Sequence, residues 1–269
     1  MSTPNPIRGE TLSVPALGNR LTVQVERAGT GPPVVFFHGA WGLQWDPFLE
    51  GLARQYTVYA PRLPGTGTDP NAIYQLDGLW DLVFVVGEVL DSLGVGRAAL
   101  VGHSFGGMLA AEAAAHWPDL PRRVALIAPL GLWSADRPIA NWMAVLHQQD
   151  LIKLLFLDPA SPAVGWAFPT ASDPQEQALL QARRVWAMGC SGKFWWPIPD
   201  RGLSKRLHRV RAPTLLVWGK QDAVVPASYA QDFARAIPHA RTVLVEGANH
   251  FPHLERLDTV LPTILDFLQ

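Results

Sequence analysis

The chain has 269 residues, with 22 lysines and arginines against 23 aspartates and glutamates, and its net charge of −1 gives no electrostatic footing for nucleic acid. A single cysteine, Cys190, excludes an intramolecular disulfide framework and a cysteine-built metal site, and reads as a small half-buried residue. The opening residues 1–8 are polar and proline-broken, unlike a signal peptide, and the most apolar helical stretch, 79–93, is interrupted by Asp81, Glu88 and Asp91, so no membrane span is expected and the chain reads as soluble and cytoplasmic.

Residues 11–16 and 20–28 alternate well enough for two antiparallel strands joined at Gly18-Asn19. The run Pro33-Val34-Val35-Phe36-Phe37 has the continuous apolar character of a strand buried on both faces, and it ends in a glycine-rich loop, His38-Gly39-Ala40-Trp41-Gly42. A helix over 45–55 with Asp46 near its start, a strand over 56–60 and a long turn over 61–67 follow. Helical periodicity over 76–93 stops at Gly94. Then come a strand over 98–101, a tight turn, an alanine-rich helix ended by Pro118, and a strand over 123–128. Strands alternating with helices at this spacing predict a mostly parallel sheet with helices on both faces.

From 132 to about 209 the rhythm breaks. Helical segments over 139–157 and 174–188 alternate with proline-rich turns, and six of the eleven tryptophans fall here. The sheet pattern resumes with 214–218, a helix near 227–236, a strand over 241–245 and a last helix reaching Leu268. The simplest account is an α/β core of 1–131 and 210–269, with a helical insertion, 132–209, between two of its strands.

Gly102-His103-Ser104-Phe105-Gly106, set between a buried strand and a helix, fits the G-x-S-x-G nucleophile elbow. A serine held at so sharp a bend needs neighbours without bulk, which Gly102 and Gly106 supply. A hydroxyl is a weak nucleophile at neutral pH, so Ser104 needs a base, and the base an orienting acid. His250 follows the last predicted strand on a small-residue loop, on the same sheet edge as the elbow. Asp222 follows the preceding strand on that edge; its plainer role is that of a turn former. No acid directly follows the 123–128 strand. Backbone N–H groups of Phe105 and Ala40, with Trp41 as second choice, are the expected donors to a developing oxyanion.

Together these residues resemble the α/β-hydrolase superfamily, in its serine-nucleophile, esterase-like branch with a helical cap. The resemblance rests on His38-Gly39-x-x-Gly42, Leu63-Pro64-Gly65-x-Gly67, the elbow, the segment ending in Val225-Pro226, and Gly247-x-Asn249-His250. It implies the α/β-hydrolase fold: an eight-stranded sheet with a first antiparallel strand, a cap over the site, and no cofactor or metal. It also implies that His38 supports the oxyanion loop. Serine at the elbow separates the chain from haloalkane dehalogenases and epoxide hydrolases, which carry aspartate there. Asn249 departs from the usual Gly-x-Gly-His. His103 is expected to pack beneath the nucleophile and His253 to open the last helix, while His147, His208 and His239 read as surface or cap residues.

The tryptophans of the insertion serve its own small core, and one or two of Trp142, Trp166 and Trp195 are expected to line an apolar pocket above Ser104, with Trp41 and Phe105 as its floor. No arginine cluster stands near the motifs, which speaks against strongly anionic substrates; Arg62 and Lys220 remain as anchors for a carboxylate. The expected partner is a small molecule with an apolar portion, and the first functional reading is cleavage of a carboxylic ester of modest size through an acyl-enzyme. Hydrolysis of a carbon–carbon bond in a vinylogous diketone acid is the second, and a non-catalytic ligand binder the third.

Overall fold

The apolar runs become one sheet of eight strands: β1 (Glu10–Ala16), β2 (Leu21–Ala28), β3 (Pro33–Phe37), β4 (Thr57–Pro61), β5 (Ala99–His103), β6 (Arg123–Ile127), β7 (Thr214–Gly219) and β8 (Ala240–Val245), side by side in the order β1-β2-β4-β3-β5-β6-β7-β8. This computed structural model describes residues 9–145, 147–196 and 200–269; the signal-peptide reading of 1–8, and 146 and 197–199 of the predicted insertion, lie outside them. From β4 to β8 all neighbours are parallel, whereas β2 is antiparallel to both β1 and β4. The reversed strand is therefore the second, where the resemblance implied the first. The β1–β2 hairpin turns through Leu17, Gly18 and Asn19, all at positive φ, and restores the common direction to β1.

Helices fill the connections: α1 (Pro47–Ala53), α2 (Leu79–Ser92), α3 (Phe105–His116), α4 (Gln148–Leu155), α5 (Pro162–Ala167), α6 (Pro174–Trp195), α7 (Tyr229–Ala236), α8 (Pro252–Glu255) and α9 (Leu257–Leu268). Among the described residues no helix is long and apolar enough to cross a membrane. The centre of the molecule is β5 and α3, the strand and helix on either side of Ser104: every residue of β5 is buried, and so is α3 from Phe105 to Ala115. That burial includes a charge. Glu112 is fully enclosed and meets the Arg206 guanidinium with two bonds, 2.9 and 2.6 Å, which clamp α3 to the segment entering β7. Removing one partner of such a pair costs about 3–5 kcal/mol, since it strands the other charge.

Between β6 and β7 lie α4, α5 and α6 and no strand among the described residues. The predicted helix over 139–157 is not continuous. Ala140 donates its N–H to the Val224 carbonyl at 2.9 Å, which ties the chain to the Asp222 loop, and a single 3-10 turn over Trp142–Ala144 stands apart from α4, which begins after His147. An expected proline-rich turn is instead α5, started by Ser161, whose hydroxyl accepts the Ala163 N–H, and by Pro162 in the first helical turn. Helix α6 continues past the predicted end at 188 to Trp195, and a Cβ on its Gly192 would come within 2.9 Å of the Met143 side chain.

Candidate active site

Ser104 sits between β5 and α3 with φ 55° and ψ −116°, a conformation that L-residues rarely adopt. Its backbone is locked into the neighbouring strand end: its N–H donates to the Ile127 carbonyl at 2.9 Å, and its own carbonyl accepts the Leu130 N–H at 3.1 Å. The flanking glycines are obligatory on steric grounds. A Cβ on Gly102 would lie 2.3 Å from the Gly106 carbonyl oxygen, and one on Gly106 would lie 2.0 Å from that of Phe37.

The loops after β7 and β8 bring Asp222 and His250 to the same place. One Asp222 oxygen accepts the N–H groups of Val224 and Val225, each at 2.9 Å; the other faces His250 Nδ1 at 3.0 Å. Turn former and histidine partner are thus one residue using two oxygens. A carboxylate only accepts, so His250 Nδ1 carries the proton and leaves Nε2 bare. That Nε2 is 2.9 Å from Ser104 Oγ. Ser104 and His250 are fully buried and Asp222 nearly so.

Asn249, the departure from the family pattern, ties the site together. Its side-chain oxygen accepts the Ala223 N–H at 2.8 Å and its amide donates to the Leu154 carbonyl at 3.0 Å, while His250 N–H donates to the Leu155 carbonyl at 3.1 Å. Both loops are therefore hung from the C-terminal end of α4. Sequence reading passed over this role, although the departure was its signal. On the other side, His38 donates from Nδ1 to the Gly39 carbonyl at 2.7 Å and accepts the Leu63 N–H on Nε2 at 3.2 Å, strapping the glycine-rich loop to the 61–67 turn. Ser191 on α6 donates its hydroxyl to the Ala40 carbonyl at 3.3 Å. Ala40 and Phe105 are both fully buried.

Aromatic rings close over this arrangement. Trp41 stands 6.1 Å from the His250 ring, 5.7 Å from Trp142, 6.2 Å from Phe168 and 5.5 Å from Phe251, and Trp142 continues to Trp195 at 4.6 Å. Among the described residues, the buried indole N–H groups of Trp41, Trp142 and Trp195 have no hydrogen-bond partner. Trp166, on α5, is 37% exposed and makes no ring contact with this cluster among the described residues. Lys220 is paired with Glu246 at the surface, and Arg62 with Glu26 at 3.0 Å.

The sequence model of the alpha/beta hydrolase family matches residues 34–262, from β3 into the last helix. The chain belongs to that family. Among curated relatives, the hydrolase is 28% identical over 246 residues to a poly(3-hydroxyalkanoate) depolymerase of Ectopseudomonas oleovorans, covering 88% of this chain and 84% of that protein. It is 26% identical to a pimeloyl-[acyl-carrier protein] methyl ester esterase of Nitrosomonas europaea, over 87% of this chain and 94% of that one. Among solved structures, a bacterial membrane phospholipase A superposes with a TM-score of 0.78 at 25% identity, over 97% of this chain and 86% of the other.

Behind the reactive face the hydrolase holds a second group of histidines. His103 donates from Nε2 to the His250 carbonyl at 2.8 Å, and its ring lies 4.5 Å from that of His253 and 5.1 Å from that of His250. His253, in α8, is buried and its Nδ1 has no partner among the described residues. His147, His208 and His239 are exposed. Burial holds His38 down to about 4 and His253 down to about 3, and His103 well below its ordinary value. The unfolded chain protonates these rings near pH 6.5, so between that pH and about 4 it binds protons that the folded state refuses, and stability falls as pH falls. Asp46 acts the other way: burial raises it to about 7, and its bonds from Phe48 and Leu49 N–H offset part of that rise. Glu255, raised by burial as well, acts with Asp46; three histidines against these two carboxylates leave the fold sensitive to acid. Thermal melts from pH 7 to 4 should therefore show a falling midpoint, and His253→Phe, which puts an apolar ring among Phe48, Phe251 and His103, should flatten that fall. An unchanged slope in the variant would refute the assignment to His253. Cys190 takes no part: burial pushes its thiol up to about 11.

Proposed function

We propose that this hydrolase cleaves a carboxylic ester of modest size with an apolar portion, through an acyl-enzyme on Ser104. The observation that carries the proposal is the continuous chain from Asp222 through His250 to Ser104, at 3.0 and 2.9 Å. In that chain His250 Nε2 takes the hydroxyl proton as Ser104 Oγ attacks the carbonyl carbon, and Asp222 stabilises the imidazolium that results. The N–H groups of Ala40 and Phe105 receive the oxyanion, and the hold of Ser191 on the Ala40 carbonyl fixes the next peptide of the same loop, Ala40–Trp41. Collapse of the tetrahedral intermediate breaks the ester bond, with the imidazolium proton passing to the leaving alcohol. Water, deprotonated by the same nitrogen, then releases the acid and frees Ser104.

The insertion of 132–209 acts as the cap. Its Trp142, Phe168 and Trp195 belong to the ring cluster over the reactive groups, and α4 carries the carbonyls from which both loops hang. Ring walls favour an apolar acyl or alkyl group, and the unpartnered indole N–H groups offer donors to a substrate's oxygens. Because Ser104 and His250 are fully enclosed, substrate enters when this roof shifts. The test is a panel of nitrophenyl esters of rising chain length beside a vinylogous diketone acid. Turnover of short and medium esters with a burst of nitrophenol is the expected result. Bleaching of the diketone acid with no ester turnover would move the assignment to carbon–carbon bond hydrolysis.

A further inference from the structure

We infer that the seam between α6 and the core, where Arg62, Arg183 and Arg184 meet, binds an oxyanion carried by the substrate at its end remote from the scissile ester: a carboxylate on the acyl side or a phosphate on the alcohol side. The inference rests on the ester-hydrolase assignment above and names the chemistry of its substrate. It also corrects the expectation that no arginines cluster near the motifs.

The seam holds a cavity of about 170 Å³ whose lining, among the described residues, includes these three arginines together with Trp41, Gly42 and Thr66, and no acidic residue. Arg62, Thr66 and Arg183 also line a groove of about 940 Å³, whose one acidic lining residue among the described residues, Glu26, is already paired with Arg62. Among the described residues, Arg62 is the one of the three cations with a carboxylate partner, Glu26. Arg183 and Arg184 have none among the described residues. Arg184 lies instead over the Phe168 ring, 4.5 Å from its centre, and burial lowers its pKa. Arg184 is half-buried on an aromatic face and Arg183 beside it is exposed; two adjacent guanidinium groups with no carboxylate partner among the described residues have as their natural complement a planar or tetrahedral oxyanion held by paired N–H donors.

The cavity is coupled to the reacting groups. Trp41 lines it and also edges the His250 ring at 6.1 Å; Phe168, beneath Arg184, packs edge-on against Trp41 at 6.2 Å. Gly42 and Trp41 belong to the loop that carries Ala40. A chain running from Ser104 across Trp41 therefore ends between α6 and the 61–67 turn, at the arginines.

The experiment measures kcat/KM for nitrophenyl half-esters of dicarboxylic acids of rising length against neutral esters of matched length, and for esters whose alcohol bears a phosphate. Wild type should prefer one anionic series by about tenfold, the worth of a charge-assisted hydrogen bond, expressed in KM and weakened by added salt. The series preferred identifies the source of the oxyanion. Arg183→Gln/Arg184→Gln should abolish the preference, whereas Arg211→Ala, which removes an exposed charge paired with Asp119 before β7, should keep it. As a readout free of catalysis, inorganic phosphate at low salt should raise the melting temperature of wild type and leave that of the double variant unmoved. Equal discrimination by wild type and double variant, or an equal phosphate effect on both, overturns the inference while the ester-hydrolase assignment stands. If no ester is turned over, that assignment fails, and phosphate binding alone still decides whether the arginines form an anion site.

Discussion

Ser104→Ala should abolish ester turnover, with a loss in kcat on the order of 10⁶-fold, because the chain then has no atom at the elbow to form the acyl bond. The remaining donors and the ring-lined pocket still bind substrate, so KM should change far less than kcat. The same position makes a second, separable prediction about stability. With φ at 55° and ψ at −116°, Ser104 stores backbone strain of about 1–3 kcal/mol, and alanine keeps that strain because it keeps the Cβ. Ser104→Gly removes it and gives back about 0.5–1 kcal/mol through the greater freedom of the unfolded chain. The glycine variant should therefore be as inactive as the alanine variant and yet melt about 2–4 °C higher. Nitrophenyl ester assays and thermal melts on the two proteins decide both points. Residual turnover near wild type in Ser104→Ala would remove the elbow from the mechanism, and a glycine variant melting below the alanine variant would show that the bend carries no strain.

That serine was legible in the sequence because its signals are local: an apolar strand, two glycines at a fixed spacing and an alanine-rich helix, all between residues 98 and 115. Asp222 and His250 were legible for a topological reason, since loops following parallel strands must emerge on one edge of the sheet. The insertion was not legible in the same way, because its structure is decided by partners distant in sequence. The helix is interrupted before α4 where Ala140 bonds to Val224, and the extra turns of α6 carry Phe194 and Trp195 to rings elsewhere in the fold. Local periodicity over 139–157 saw the apolar side chains and missed the backbone's other engagement. The same cause hid the arginine site: Arg183 and Arg184 are unremarkable neighbours on a helix until α6 lies against the turn that holds Arg62. Asn249 is the intermediate case. Its departure from a familiar pattern was visible, and only the three-dimensional position of Leu154 and Ala223 shows that its amide replaces the freedom of a glycine with two bonds.

Asp222→Asn should lower kcat by about 10⁴-fold while leaving the fold nearly as stable as wild type, and the reason lies in how the two oxygens of Asp222 are used. One oxygen accepts the N–H groups of Val224 and Val225, and an asparagine carbonyl oxygen, a weaker acceptor, can still accept both, so the turn after β7 survives. The amide nitrogen must then take the place of the oxygen that faces His250 Nδ1. An NH₂ group only donates, so the ring must present a bare Nδ1 and carry its proton on Nε2. With that proton in place Nε2 has no lone pair for the Ser104 hydroxyl, and the base is lost although no heavy atom has moved. Asp222→Ala removes the turn acceptor as well, and should lose both activity and stability, by about 1–3 kcal/mol for the stranded N–H donors. Kinetics and thermal melts on the pair separate the two functions of one carboxylate. An asparagine variant with near-normal kcat would mean that His250 takes its tautomer from some other contact, and an alanine variant as stable as the asparagine one would mean that the Val224 and Val225 bonds contribute nothing to the fold.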